Sequence, residues 1–191
     1  MEKKIAMSLP EEKQHYTYAD YYGWDDGERW ELIEGVSYLM SPAPFQKHQE
    51  VLGKLYLQFA DFLKGKPCKV FIAPFDVRLN PETGDDTVVR PDLLIICDRS
   101  KLDGKCCVGA PDMTIEILSP SSERHDRFVK FHAYQNAGVR EYWIVDPNTR
   151  TIQVCILENG KYVVTMYGDN DAVPVHVLDG CVIDTQAVFE E

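Results

Sequence analysis

A six-residue apolar run, Met113-Thr114-Ile115-Glu116-Ile117-Leu118, carries a single charge near its middle. Gly109-Ala110-Pro111 lead into it and Ser119-Pro120-Ser121-Ser122 close it. Turn residues thus bound a segment too short for a helix and rich in β-branched side chains, the profile of a strand buried in a sheet. An ionised carboxylate in that setting costs several kcal/mol unless a cation, a proton or a metal ion compensates it. Val88-Val89-Arg90-Pro91-Asp92-Leu93-Leu94-Ile95-Ile96-Cys97 reads as a second buried strand, with Asp92 near its start. Two such strands, each bringing one carboxylate, make a metal site the first hypothesis and require a fold that sets them side by side.

The chain has 191 residues, 45% of them hydrophobic, enough for a sizeable core. One domain over residues 1–191 is expected, with the polar residues 1–15 flexible. No stretch approaches the ~18 to 20 apolar residues that span a bilayer. Met1-Glu2-Lys3-Lys4-Ile5-Ala6-Met7-Ser8 lacks the apolar run of a secretory leader, so a cytoplasmic protein without membrane attachment is expected. The six cysteines include no Cys-x-x-Cys pair, and all read as reduced and structural. The net charge of −11 argues against a broad face for gripping a phosphate backbone, although a local basic patch remains compatible with it. Arg124-His125-Asp126-Arg127-Phe128-Val129-Lys130-Phe131-His132 is the most basic segment, and Arg124 and Arg127 are its candidates for binding a substrate phosphate.

Thr17 is placed to cap a short helix through Tyr22. Trp30-Glu31-Leu32-Ile33 and Val36-Ser37-Tyr38-Leu39-Met40 flank Glu34-Gly35 as a tight hairpin, and Ser41-Pro42-Ala43-Pro44 ends it. Val51, Leu52, Leu55, Phe59, Phe62 and Leu63 recur at helical spacing over residues 48–63, with Gly65 beyond the end. Residues 68–79 form one strand interrupted by Pro74, or two short ones. The strands of Asp92 and Glu116 follow, then a helix over residues 124–136, a strand over 141–147, a hairpin turning at Asn159-Gly160, and a short strand near 173–178. The order is that of an α/β or α+β fold, a mixed sheet flanked by helices with added N- and C-terminal hairpins. A helix between the Glu116 and Trp143 strands predicts that these two run parallel.

Neighbouring strands lie about 4.8 Å apart, so Asp92 and Glu116 can share one ion. Hard oxygen ligands favour Mg²⁺ or Mn²⁺. The alternatives are a turn carboxylate at Asp92 and a buried ion pair at Glu116. Asp76, inside Phe75-Asp76-Val77, pairs with Arg78 or Arg90 more readily than it serves as a further acid, and Asp112 after Pro111 reads as structural. Ser119-Pro120-Ser121-Ser122 supplies a turn and caps the following helix.

Pro91-Asp92 followed by Glu116 in a strand resembles the PD-(D/E)XK, or restriction-endonuclease-like, superfamily of metal-dependent nucleases. A longer ordered set is similar to the Uma-two family within it: Glu31-Leu32-Ile33-Glu34-Gly35, Met40-Ser41-Pro42-Ala43-Pro44, His48, Arg90-Pro91-Asp92, Glu116-Ile117-Leu118-Ser119-Pro120-Ser121, Lys130, Tyr134 and residues 138–147. The resemblance covers roughly residues 17–185. It implies a nuclease acting on DNA, with Asp92 and Glu116 as Mg²⁺ or Mn²⁺ ligands, Glu34 as an auxiliary acid and His48 contacting phosphate or water; the alternatives are an exposed turn residue at Glu34, a partly exposed first-turn histidine at His48 and a solvated helix lysine at Lys130. The superfamily lysine belongs two residues after the acid, where this chain has Leu118. The resemblance moves that role, water-orienting or charge-stabilising base, to Lys130 on the next helix. A homodimer is the expected assembly, since cutting both strands of a duplex needs two sites. Tyr16, Tyr18, Tyr21, Tyr22 and Trp24 are a candidate contact, the alternative being that they cover the chain's own core. A non-cutting nucleic-acid-binding or mobile-element accessory protein, and a hydrolase of a smaller phosphorylated substrate, are the rival functions.

Overall fold

Pro74 and Pro91 set the layout. Each interrupts an apolar run where a ladder would need an N–H that proline lacks, and at each the chain leaves one sheet for another. The computed structural model describes residues 15–40 and 45–190; the Ser41-Pro42-Ala43-Pro44 string and residues 1–14 of the expected flexible start lie outside that range. The chain runs through α1 (Tyr18–Tyr21), β1 (Trp30–Ile33), β2 (Val36–Leu39), α2 (Gln46–Phe62), β3 (Lys69–Ile72), β4 (Val77–Arg78), β5 (Val88–Val89), β6 (Leu93–Ile96), β7 (Cys107–Val108) and β8 (Met113–Ile117). A π-helical segment, His125–Lys130, then continues into α3 (Phe131–Ala137), followed by β9 (Glu141–Asp146), β10 (Thr151–Glu158), β11 (Lys161–Tyr167), β12 (Ala172–Pro174), β13 (Val182–Asp184) and α4 (Thr185–Phe189).

The larger sheet has the order β11-β10-β9-β8-β6-β3 and the second the order β2-β1-β5-β4-β7, while β12 and β13 form a small C-terminal hairpin. Both larger sheets are mixed, since β8 pairs with β9 and β4 with β7 in parallel and the other pairs are antiparallel. The parallel β8–β9 pair, with a helix between, is the arrangement predicted. Residues 88–97 are not one strand, however: β5 belongs to the second sheet and β6 to the larger one, so Arg90, Pro91 and Asp92 form the seam between them. The run across Pro74 divides the same way, into β3 and β4.

One face of the larger sheet is covered by Val51, Leu52, Leu55 and Phe59 of α2, packed with Leu93, Ile95, Ile115, Trp143 and Val145. The other face, with Leu94, Ile96, Tyr142 and Ile144, packs on Ala133 and Tyr134 of α3 and on Ile33, Val77 and Val89 of the second sheet. Alternation along β8 therefore sends Ile115 and Ile117 toward α2 and Glu116 toward α3. Glu34-Gly35 and Asn159-Gly160 make two-residue turns with φ of 51° and 77°, and 50° and 79°, the left-handed pairs that hairpins favour.

One expectation is corrected here. Cys68 and Cys97 are joined in a disulfide, not reduced. They flank the paired ends Lys69 and Ile96 of β3 and β6, which puts their Cα atoms 3.9 Å apart; the register that brings them together joins positions 29 residues apart. Of the two readings of the N-terminal aromatics, the structure shows the cover for the chain's own core: Tyr16 and Tyr21 are buried against Leu32 and Val88, with Trp24 and Trp30 packed at their edges. Tyr22 alone of the five stays largely exposed, at 63%. No described helix is long and apolar enough to cross a membrane.

Candidate active site

A cleft of about 210 Å³ opens at the seam, lined by Glu31, Tyr38, His48, Arg90, Asp92, Glu116, Ser119, His125, Asp126 and Lys130 among others. Because Leu93 faces Ile115 across the β6–β8 ladder, Asp92 and Glu116 occupy the next facing positions and share one side of the sheet. Asp92 Oδ2 accepts a hydrogen bond from the Ile117 N–H at 2.8 Å and lies 3.1 Å from His48 Nε2. Glu116 Oε1 accepts from Lys130 Nζ at 2.8 Å and from the Tyr134 hydroxyl at 2.7 Å. Each carboxylate thus keeps one oxygen, Asp92 Oδ1 and Glu116 Oε2, with no hydrogen-bond partner among the described residues.

Lys130 is buried with its ammonium 2.8 Å from both Glu31 and Glu116 and 3.9 Å from Asp126. Burial alone would lower its pKa, but Glu116, Glu31 and Asp126 outweigh that and hold it well above the ordinary lysine value. The surrounding acids thus favour its ammonium form, which suits it to a fixed charge more than to a proton acceptor. Glu31 and Glu116 share it unequally. Burial pushes Glu31 upward, yet Lys130, the His125 ring and the Arg90 N–H together hold it low, at about 2. Burial also pushes Glu116 upward, Asp126, Asp92 and Glu31 add to that, and Lys130 does not offset them. Glu116 is thus the carboxylate under electrostatic pressure. Asp126 is driven from 3.8 to about 6, first by burial, with Lys130 opposing and Glu31 and Asp92 adding. Because Asp126 holds its proton longer when folded, it contributes stability present below about pH 4 and lost as pH rises through about 6. Asp126→Asn is expected to remove that slope and to gain about 2 to 3 kcal/mol over wild type at pH 8, read from urea unfolding at pH 4 and pH 8; equal slopes in both proteins would refute it.

Three carboxylates, Glu31, Glu116 and Asp126, face one ammonium, with Asp92 in the same lining, a crowding of acids that a divalent cation would relieve. Among the described residues no group of three or more histidine, cysteine or acidic side chains is arranged to hold a metal ion. Asp92 and Glu116 with several waters nevertheless suit Mg²⁺, which takes one or two carboxylates and keeps its waters.

Residues 17–186 match the family model of Uma2, described as "Putative restriction endonuclease". The chain belongs to the Uma2 family. It is 23% identical over 156 residues to the uncharacterized protein slr1290 of Synechocystis sp. (strain ATCC 27184 / PCC 6803 / Kazusa), covering 80% of each chain. Its fold matches, with a TM-score of 0.74 and 19% identity, the crystal structure described as "a putative nuclease belonging to DUF820" from Anabaena variabilis ATCC 29413, over 91% of this chain and 97% of that one.

Within this Uma2 protein the cleft gathers Asp92, Glu116, Lys130 and His48, and leaves out three other candidates. Glu34 is exposed at the hairpin turn with φ of 51°, where its side chain points out of the ladder. The hairpin's buried acid is Glu31, whose Oε1 accepts from the Arg90 N–H at 2.8 Å and whose Oε2 lies 3.2 Å from His125 Nε2. Glu31 was legible by the rule that singled out Glu116, an acid inside an apolar strand. Arg124 is exposed and outside the cleft lining. Arg127 turns to Glu123 at 2.9 Å and Gln153 at 3.3 Å, while Asp126 and Lys130, four residues apart on the same segment, are buried. Asp76 pairs with Arg90, and Asp112 accepts from Arg140 and from the Cys97 N–H, both as expected. Glu34→Ala is expected to change stability by less than about 1 kcal/mol, whereas Glu31→Gln, which leaves the buried Lys130 ammonium with one charged partner fewer, should cost more; urea unfolding of the two variants separates the roles.

Proposed function

We propose that this protein is a divalent-metal-dependent nuclease that hydrolyses phosphodiester bonds of DNA in the seam cleft. The observation that carries the reading is the facing pair Asp92 and Glu116 with the buried Lys130 ammonium bonded to Glu116. Asp92 and Glu116 would hold Mg²⁺ or Mn²⁺, which supplies Lewis acidity and an acidified water. The chain's own residues do the rest. The Ile117 N–H and His48 fix the Asp92 carboxylate, and Tyr134 and Lys130 fix Glu116. Lys130 stands as a fixed positive charge for the negative charge that builds on the phosphoryl oxygens. The test is nicking of plasmid DNA with Mn²⁺: wild type converts supercoiled to open-circular DNA and Glu116→Gln does not, and no nicking by wild type with Mg²⁺ or Mn²⁺ would defeat the reading.

The small volume of the cleft and the net charge of −11 also suit a hydrolase of a small phosphorylated substrate. Metal-dependent turnover of bis(p-nitrophenyl) phosphate without plasmid nicking would favour it.

We further propose a homodimer joined through β11. This strand is an edge of the larger sheet and exposes Val163, Val164 and Met166 at 49%, 46% and 55%. A long apolar edge without proline invites pairing with another strand, and pairing with its own copy about a two-fold axis closes the assembly. Wild type is expected to scatter light as a dimer and Val164→Lys as a monomer; a wild-type monomer would refute the contact.

A further inference from the structure

We propose that Arg90 is the phosphate clamp of the cleft, gripping two non-bridging oxygens of a substrate phosphate with its Nη groups. The choice of substrate rests on the nuclease reading. Arg90 sits where the chain crosses from β5 to β6, and both its main chain and its side chain are pinned. Its N–H donates to Glu31 Oε1 at 2.8 Å, and Pro91 after it has a fixed φ. Its Nε donates to Asp76 Oδ1 at 2.5 Å, and Asp76 is in turn bonded by the Tyr21 hydroxyl at 3.3 Å. The guanidinium carbon lies 5.7 Å from the centre of the Tyr21 ring. One edge of the guanidinium is thus fixed, while among the described residues neither Nη has a hydrogen-bond partner.

Other arginines of the chain are used differently. Arg78 spends Nε and Nη2 on the two oxygens of Asp85. Arg127 is divided between Glu123 and Gln153. Lys130, also in the cleft, is committed at the floor to Glu31 and Glu116. Arg90 is therefore an immobilised cation with an open fork, and its side chain, 23% exposed, belongs to the same cleft lining as Asp92 and Glu116. A planar fork held in one orientation matches a phosphate bidentately, at little further entropic cost. In a chain of net charge −11 with an acidic cleft floor, an anion entering the site needs such a counter-charge beside the carboxylates. Asp76 acts through Arg90 and is a positioning residue.

The test is calorimetric titration of the whole protein with deoxythymidine 3′,5′-bisphosphate in Ca²⁺. Arg90→Gln is expected to weaken binding about tenfold or more. Arg90→Lys should not rescue it, since an ammonium lacks the fork. Asp76→Asn, which keeps the cation and loosens its aim, should weaken it about threefold or more. Ca²⁺ binding measured without the nucleotide should be the same in all four proteins, which a general loss of structure would not permit. Equal affinity in wild type and Arg90→Gln, full rescue by Arg90→Lys, or no binding by wild type at millimolar ligand would each overturn the clamp. If Arg90→Gln fails to fold, the Lys and Asn variants decide. Plasmid nicking by wild type judges the nuclease reading separately: binding lost in Arg90→Gln, with no nicking by wild type, supports the clamp and removes the nuclease.

Discussion

Lys130→Ala is expected to lower the unfolding free energy by about 3 to 5 kcal/mol near pH 8, the range found when one member of a buried ion pair is removed. A helix accepts alanine readily, so sequence alone suggests that the fold would be untouched. The packing says otherwise. Lys130 is buried, and its ammonium separates Glu31 from Glu116 at 2.8 Å each, with Asp126 at 3.9 Å. Without it three buried acids face one another in a low-dielectric site. They would respond by taking up protons, so the deficit should shrink as pH falls through about 6, where Asp126 titrates even with the lysine present. Lys130→Arg should also be poor, because the niche is closed and a planar fork is larger than an ammonium. Urea unfolding of wild type and Lys130→Ala at pH 5 and pH 8 checks this. A loss below about 1 kcal/mol, the scale of an exposed pair, or an equal loss at both pH values, would mean that the ammonium does not neutralise this cluster. On the folded fraction, cleavage should fall by on the order of 10² or more, the effect of deleting one charge-stabilising donor.

Legibility from the sequence followed the range of the signal. Both two-residue hairpins, the amphipathic α2 and the parallel β8–β9 pair were readable because turn chemistry and hydrophobic period are local. Asp92 and Glu116 were readable because a charge inside an apolar strand has few explanations. At Glu116 the structure shows the alternative reading, a buried ion pair with Lys130, in which one carboxylate oxygen serves the pair and the other has no hydrogen-bond partner among the described residues. The sheet change at Pro91 was not readable, because a break and a sheet crossing look alike in one dimension. Nor was the π-helical segment, whose residues His125-Asp126-Arg127-Phe128-Val129-Lys130 fit an α-helix equally well. Glu34 became a candidate through the family resemblance, and the structure shows its alternative, an exposed turn residue, while the strand position holds Glu31 buried.

Glu116→Gln should give the opposite balance, a loss of cleavage on the order of 10³-fold with stability retained or increased. Glutamine has nearly the same shape, and its Oε1 can still accept from Lys130 and Tyr134 as the glutamate oxygen does at 2.8 and 2.7 Å. What it lacks is charge. The wild-type carboxyl is pushed well above its ordinary range, first by burial and then by Asp126, Asp92 and Glu31, against Lys130. A carboxyl raised on folding contributes stability below its unfolded pKa and forfeits it as pH rises through the folded value. Wild type therefore carries a penalty on the alkaline side that the amide removes. The amide also removes an anionic oxygen from the proposed cation site, so Mn²⁺ should no longer stabilise the protein. In wild type a cation at one hundred times its dissociation constant would add about 2.7 kcal/mol. Melting of both proteins across an Mn²⁺ titration, beside the nicking assay, separates ligand from bystander. An Mn²⁺-dependent shift of equal size in the two proteins would remove Glu116 from the metal shell even if cleavage were lost. Together, a wild-type shift, no shift in Glu116→Gln and a stable variant would tie the lost activity to one carboxylate rather than to damaged packing, because the same substitution that empties the cation site leaves the neighbouring hydrogen bonds with an acceptor.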